Sequence, residues 1–239
     1  MKHALAAIRT LIWMPFFFVG SVLMVSLAAL VSNVSRDGFI AAVRGWAVWN
    51  RWCAFLFLGQ RIRVEGDLPT GAVFFLFKHE DQFETIDMPL LLREPVVFAK
   101  QELFSIPLWG RMARVYGLIS IERSAGASAL RTMRTAARNA IANGRPLVLF
   151  PEGTRVPHGQ HPALHSGFAG IYKLLGLPVH PVALDSGRLK QGWRRYPGVI
   201  TYRIGPEIPP GLPRDEAEAR AHAALNALNA PPPGDHAPL

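Results

Sequence analysis

AVFFLFKHEDQFETID, residues 72–87, sets six uninterrupted apolar residues directly against a run crowded with ionisable side chains. A strand covered on both faces must be apolar throughout, so residues 72–77 predict a central strand of a largely parallel sheet. The ionisable run then lies where the chain leaves that strand. Open α/β sheets collect ligands and catalytic groups at the carboxyl ends of their strands.

On either side, short apolar runs alternate with longer helical patterns, the signature of an α/β domain. Residues 61–65, 96–99, 118–121, 146–150 and 179–184 predict further strands, and residues 200–204 predict one at the sheet edge. Residues 124–143 predict a helix capped by Ser124 and closed by Asn143-Gly144. Its buried stripe is Leu130, Met133, Ala137 and Ile141, and Arg131, Arg134 and Arg138 lie on a neighbouring, solvated face. Residues 215–230 predict a last helix whose acidic first turn suits the helix dipole, and the proline-rich end predicts disorder.

Toward the N-terminus, residues 11–31 (LIWMPFFFVGSVLMVSLAALV) carry no charge over 21 positions. As a helix they would measure roughly 30 Å, about the thickness of a bilayer core. The run reads as a membrane helix that tolerates Pro15 and Gly20 and places Trp13 at headgroup level. A cleaved signal is the alternative, with Lys2 and His3 ahead of it, but the run exceeds the roughly 7–15 residues of a signal core. In residues 39–58, Arg44 and Arg51 share one helix face while Trp46, Trp49, Cys53 and Phe57 share another. That pattern predicts an interfacial helix or the second arm of a hairpin dipping into one leaflet, with an ordinary buried helix as the alternative. The expected organisation is membrane-anchor helices over 1–58, an α/β domain over 59–230 and a disordered tail over 231–239.

A chain of 239 residues that is 50% hydrophobic supports one substantial core. With 26 Lys+Arg against 17 Asp+Glu, its net charge of +9 favours anionic partners such as nucleic acid, acidic headgroups or an acidic carrier protein. The single cysteine, Cys53, excludes an intrachain disulfide and a cysteine-built metal site.

Within the ionisable run, His79 is suited to accept a proton near neutral pH, and Glu84, five residues on, can take the imidazole's other N–H. A pair at that spacing occurs by chance in many chains. Four ordered motifs make it specific: His79-x-x-x-x-Glu84, residues 117–123 (GLISIER), residues 150–155 (FPEGTR) and residues 177–183 (LPVHPVA). Together these resemble the motifs of the lysophosphatidic acid acyltransferase family, over about residues 61–210. Residues 99–103 (AKQEL) and 106–110 (IPLWG) are similar to that family as well, and the N-terminal arms resemble the two-helix anchor of some members. One departure is Glu84, where the common family pattern has Asp; Asp81 and Asp87 are the other carboxylates able to orient His79.

The resemblance implies an α/β fold with a mostly parallel sheet flanked by helices. It also implies transfer of a fatty acyl chain from acyl-CoA or acyl-carrier protein to the free hydroxyl of lysophosphatidic acid, giving phosphatidic acid. His79 would be the general base with Glu84 behind it, and no acyl-enzyme, cofactor or metal would be needed. Arg123 and Arg155 would hold the acceptor's phosphate, with Lys100 as a further contact and Glu152, Gly153 and Thr154 in the same binding loop. The active domain would face the cytoplasm from the inner membrane. Rival readings are O-acylation of a lyso-ornithine lipid or lysophosphatidylglycerol, or a noncatalytic lipid-binding relative. Two further signals are discounted. His158, His161 and His165 suggest a metal site, but the neighbouring prolines and Gly159 break the helical spacing it would use. Arg188, Lys190, Arg194 and Arg195, interleaved with Trp193 and Tyr196, read as a solvated loop or a headgroup or carrier contact in preference to a nucleic-acid patch.

Overall fold

The computed structural model describes residues 1–121 and 127–229. A seven-stranded sheet, in the order β1-β9-β6-β2-β5-β3-β4, forms the middle layer. Its strands are β1 (Gln60–Glu65), β2 (Phe74–Phe77), β3 (Val96–Lys100), β4 (Ile119–Ile121), β5 (Leu147–Leu149), β6 (Val179–Leu184) and β9 (Gly198–Ile204). A two-stranded hairpin, β7 (Lys190–Gln191) with β8 (Arg194–Arg195), stands apart from it. All pairings in the large sheet are parallel except β6 with β9.

The alternation of β2 explains the uninterrupted apolar run. Phe74 and Leu76 pack against α5 (Ala127–Ala142), α6 (Gly167–Leu175) and α7 (Arg214–Leu225). Phe75 and Phe77 pack on the other face with Phe83 and Met88 of α3 (Phe83–Leu91). A fifth α-helix among the described residues of the domain, α4 (Trp109–Tyr116), follows the 3-10 turn Gln101–Ser105. Residues 200–204 were expected at the sheet edge, but β9 lies between β1 and β6 with Ile200 and Tyr202 buried. The edge is instead β1, which joins β9 in parallel and keeps Arg61, Arg63 and Val64 exposed. The last helix ends at Leu225 instead of 230 because Asn226 turns back, its amide donating to the His222 carbonyl at 2.8 Å. The proposed cap Ser124 and the tail 231–239 lie outside the described residues.

The two N-terminal helices form an antiparallel hairpin. Helix α1 (Lys2–Val31) is long and apolar enough to cross a membrane, and only 22% of its most apolar window is buried. Helix α2 (Arg36–Cys53) starts at Ser35, whose hydroxyl accepts from the Gly38 N–H, and runs into a π-helical turn over Ala54–Leu58. Trp46 Nε1 donates to Ser21 Oγ at 3.0 Å and Trp49 Nε1 to the Phe16 carbonyl at 3.3 Å. The charged face of α2 reaches across to α3: Arg44, itself exposed, donates to the Pro89 carbonyl at 2.6 Å and the partly buried Arg51 grips Asp87 at 2.5 Å, so both arginines dock the hairpin onto α3. Both ends of α1 rest on the α/β domain, through Thr10 against Arg195 at one end and Ala28 and Ala29 against Met112 and Tyr116 at the other. The helix therefore lies along the domain, and its outer face presents Leu11, Phe16, Val19, Val22, Leu23 and Leu30 to the surroundings.

Trp49 lies on Gly20 so closely that an added Cβ would sit 2.0 Å from Nε1. Gly20→Ala should therefore overpack the hairpin and cost about 1–3 kcal/mol. For a chain of this size that is a fall of ~2–4 °C in melting temperature per kcal/mol, read in detergent micelles. An unchanged melting curve would show that the two helices do not pack as described.

Candidate active site

Because β2, β3, β4 and β5 run in parallel, the loops that follow them open at one edge of the sheet. His79 follows β2, Lys100 ends β3 and Pro151–Arg155 follows β5. His79, Lys100, Gly153, Thr154 and Arg155 line one cavity of about 850 Å³. It continues as an apolar channel past Val97, Phe98 and Leu118 to Val25, Val43 and Trp46 of the hairpin. Arg123 lies outside the described residues, immediately beyond β4.

The geometry answers which carboxylate meets His79. Glu84 Oε1 accepts from His79 Nδ1 at 3.0 Å and from the Glu80 and Asp81 N–H groups at 2.7 Å each, while Oε2 accepts from Ser186 Oγ at 3.0 Å. The extra methylene of Glu over Asp is absorbed because Glu84 sits in the first turn of α3 and reaches back under the loop, fully buried. With Nδ1–H directed at Glu84, Nε2 is the acceptor nitrogen left for the cavity. Asp87 is engaged by Arg51 and by Tyr202 Oη at 3.2 Å, and Asp81 by Arg195, so neither takes the imidazole. The ring of Phe150, 4.4 Å from the His79 ring, backs it on another side.

Glu152 was expected to bond the acceptor's hydroxyls or to fix an arginine. Its carboxylate is instead engaged beneath the site, accepting from Lys78 Nζ at 2.9 Å and from the His79 amide at 2.9 Å, and its side chain is 2% exposed. Lys78 is fully buried and also donates to Asn226 Oδ1 at 2.9 Å. Gly153 takes φ +65°, a left-handed conformation that lets the chain reverse after Glu152 and bring Thr154 and Arg155 to the cavity. Arg155 is exposed, as is Lys100, and both line the cavity that His79 also lines.

Sequence reasoning missed a second layer. Glu80 is buried and accepts from the Gly187 N–H at 2.7 Å and from His158 Nδ1 at 3.0 Å. Burial pushes its carboxyl above the usual range, and the contact with His158 offsets only part of that. Val156 N–H donates to the His79 carbonyl at 2.7 Å, so the loop after β5 straps the loop that carries His79. The three histidines of that loop serve separate partners: His158 meets Glu80, His161 meets Asn229 and His165 meets the Gly167 amide. The basic segment discounted as a solvated loop is partly buried, and Arg195 pairs with Asp81. A charge directly after an apolar strand was a local signal for Lys78; nothing local pointed to Arg195.

The fold and the site define an acyltransferase. The chain belongs to the acyltransferase family, whose model matches residues 61–185. It is 29% identical over 231 residues to a 1-acyl-sn-glycerol-3-phosphate acyltransferase of Pseudomonas aeruginosa, covering 93% of this chain and 86% of that one. It is 31% identical to a lyso-ornithine lipid O-acyltransferase of the same organism over 69% of this chain and 71% of that one. The fold is shared with the crystal structure of the 1-acyl-sn-glycerophosphate acyltransferase PlsC from Thermotoga maritima, at a TM-score of 0.72, 21% identity and 95% and 98% coverage.

Proposed function

We propose that the protein transfers a fatty acyl chain from acyl-CoA or acyl-carrier protein to the free hydroxyl of lysophosphatidic acid, at the cytoplasmic face of the inner membrane. The observation that carries this reading is the His79–Glu84 pair at the polar mouth of an apolar channel, with Lys100 and Arg155 beside it. The channel suits an acyl chain, and the two cations suit a phosphate. In the reaction, His79 Nε2 takes the acceptor's hydroxyl proton as the oxygen attacks the thioester carbonyl. Glu84 stabilises the resulting imidazolium. The tetrahedral intermediate then collapses, the C–S bond breaks, and the leaving sulfur takes the proton back from His79, restoring the neutral ring. The exposed apolar face of the α1–α2 hairpin would sit in one leaflet, bringing the channel's hairpin end to the lipid.

The similarity to a lyso-ornithine lipid O-acyltransferase supports a second reading, the same chemistry on an acceptor without that phosphate. Purified full-length protein, assayed with both donors against lysophosphatidic acid, lyso-ornithine lipid and lysophosphatidylglycerol, separates them. The proposal expects at least a ~10-fold higher kcat/KM for lysophosphatidic acid; a preference for the lyso-ornithine lipid would replace it. Arg155→Lys keeps the charge but loses the planar fork, so acceptor KM should rise more than donor KM. Loss of such a charged hydrogen bond costs about 1.5–3 kcal/mol, or on the order of 10- to 100-fold in kcat/KM. Equal effects on the two KM values would remove Arg155 from the acceptor site.

A further inference from the structure

The loop that carries His79 is held from outside by a residue more than a hundred positions away. Asp81 sits between His79 and Glu84, and its N–H donates to Glu84 Oε1 at 2.7 Å. Its own carboxylate, 2% exposed, is taken from both sides: Arg195 Nη1 contacts Oδ2, Arg195 Nη2 donates to Oδ1 at 3.2 Å, and Lys190 Nζ lies 3.7 Å away. Burial alone would raise this carboxyl, but Arg195 and Lys190 more than reverse that and hold it below the usual range, so the pair is ionised. The Arg195 guanidinium also lies over the Trp13 ring of α1, 4.8 Å from its centroid. The Arg195 N–H donates to Thr10 Oγ1 at 2.9 Å, and Thr10, itself fully buried, donates to the Ala6 carbonyl.

We propose that Arg195 is a positioning residue that fastens α1 to the catalytic loop, which makes the membrane-facing helix part of the catalytic scaffold as well as an anchor. The inference rests on the reading of His79 as base. Arginine fits the role because its planar cation binds a carboxylate through two nitrogens while presenting a face to an aromatic ring; a lysine ammonium has neither the fork nor the face. If α1 or Arg195 shifts, Asp81 loses its hold, its amide leaves Glu84, and the imidazole loses its fixed orientation. Mechanical continuity thus runs from Trp13 through Arg195 and Asp81 to Glu84 and His79.

The test uses the full chain in detergent micelles that hold acyl-CoA and lysolipid together, so that recruitment to a bilayer does not enter. Arg195→Gln and Asp81→Asn should each lower kcat by ~10- to 30-fold with donor KM nearly unchanged. The double variant should be no worse than the worse single one, as for two ends of one link. Trp13→Leu keeps the ion pair and the Thr10 hydrogen bond but removes the aromatic face under the Arg195 guanidinium, and should lower kcat by ~3- to 10-fold. Arg194→Gln, a neighbouring charge loss, should leave kcat within about twofold of wild type. The second readout is the downfield imidazole N–H proton of His79, identified by its absence in His79→Ala. It should weaken in the Arg195, Asp81 and Trp13 variants and persist in Arg194→Gln. An Arg195→Gln protein that keeps wild-type kcat, losses that multiply in the double variant, or an unmoved N–H resonance would each overturn the proposal. If Arg195→Gln does not fold, Trp13→Leu decides alone. A wild-type protein that acylates no lysolipid sinks the functional reading, while the resonance, which needs no turnover, still judges the link.

Discussion

His79→Ala should reduce acyl transfer by about 10²- to 10⁴-fold, the usual loss on removing a general base, while the protein still folds. The side chain is at the cavity wall, 17% exposed, with one ring contact to Phe150 and one hydrogen bond to Glu84. Removing it does not orphan Glu84, whose carboxylate keeps the Glu80 and Asp81 amides and the Ser186 hydroxyl. The loss of packing therefore costs little stability. Thiol release from acyl-CoA, followed in the same micelles as a melting curve, checks both halves. Turnover above about a tenth of wild type with an intact fold would show that the acceptor hydroxyl is deprotonated by another group. Cys53 does not supply a competing covalent route, being buried in the hairpin among Trp13, Phe17 and Leu58.

The second large effect belongs to Glu84. Glu84→Gln removes the charge proposed to stabilise the imidazolium and places an amide where three N–H donors and a hydroxyl converge on two oxygens. If the amide oxygen faces the donors, its NH₂ still meets Ser186. If it is reversed, donors face donors. Activity should fall by ~10²- to 10³-fold and stability by about 1–3 kcal/mol, the cost of unsatisfied buried groups. Glu84→Asp keeps the charge but shortens the reach from α3, so it cannot satisfy His79 and both loop amides together. It should retain more activity than Gln, at roughly a tenth of wild type. The order Glu, Asp, Gln in kcat is the check. A Gln variant equal to or better than Asp would mean that geometry outweighs charge at this position, and the stabilising role would need reassignment.

The strand 74–77 was legible because burial on both faces leaves no choice but apolar residues, and β6 over 179–184 was legible from its buried apolar end, Val182 to Leu184, although His180 interrupts its start. The position of β9 was not, since alternation in GVITYRI fits an edge strand as well as one beside an edge, and only its pairing with β1 decides. The arginines of α2 were visible as a face, but what that face touches is a property of α3, not of α2.

The sequence by itself determined the α/β class and the apolar hairpin arm, because periodicity and unbroken hydrophobicity are local quantities; the spacing of His79 and Glu84 was a local signal too, whereas Lys100 and Arg155 were singled out only by resemblance to a family. Tertiary structure alone decided which carboxylate meets the imidazole, that Glu152 supports Lys78 and the His79 amide, and that Arg195 ties α1 to Asp81. Those outcomes are settled by buried charges, which must find partners wherever the fold brings opposite charge and hydrogen-bond donors within about 3 Å. Partners as distant as Lys78 and Glu152, or Asp81 and Arg195, are adjacent only after the sheet has formed.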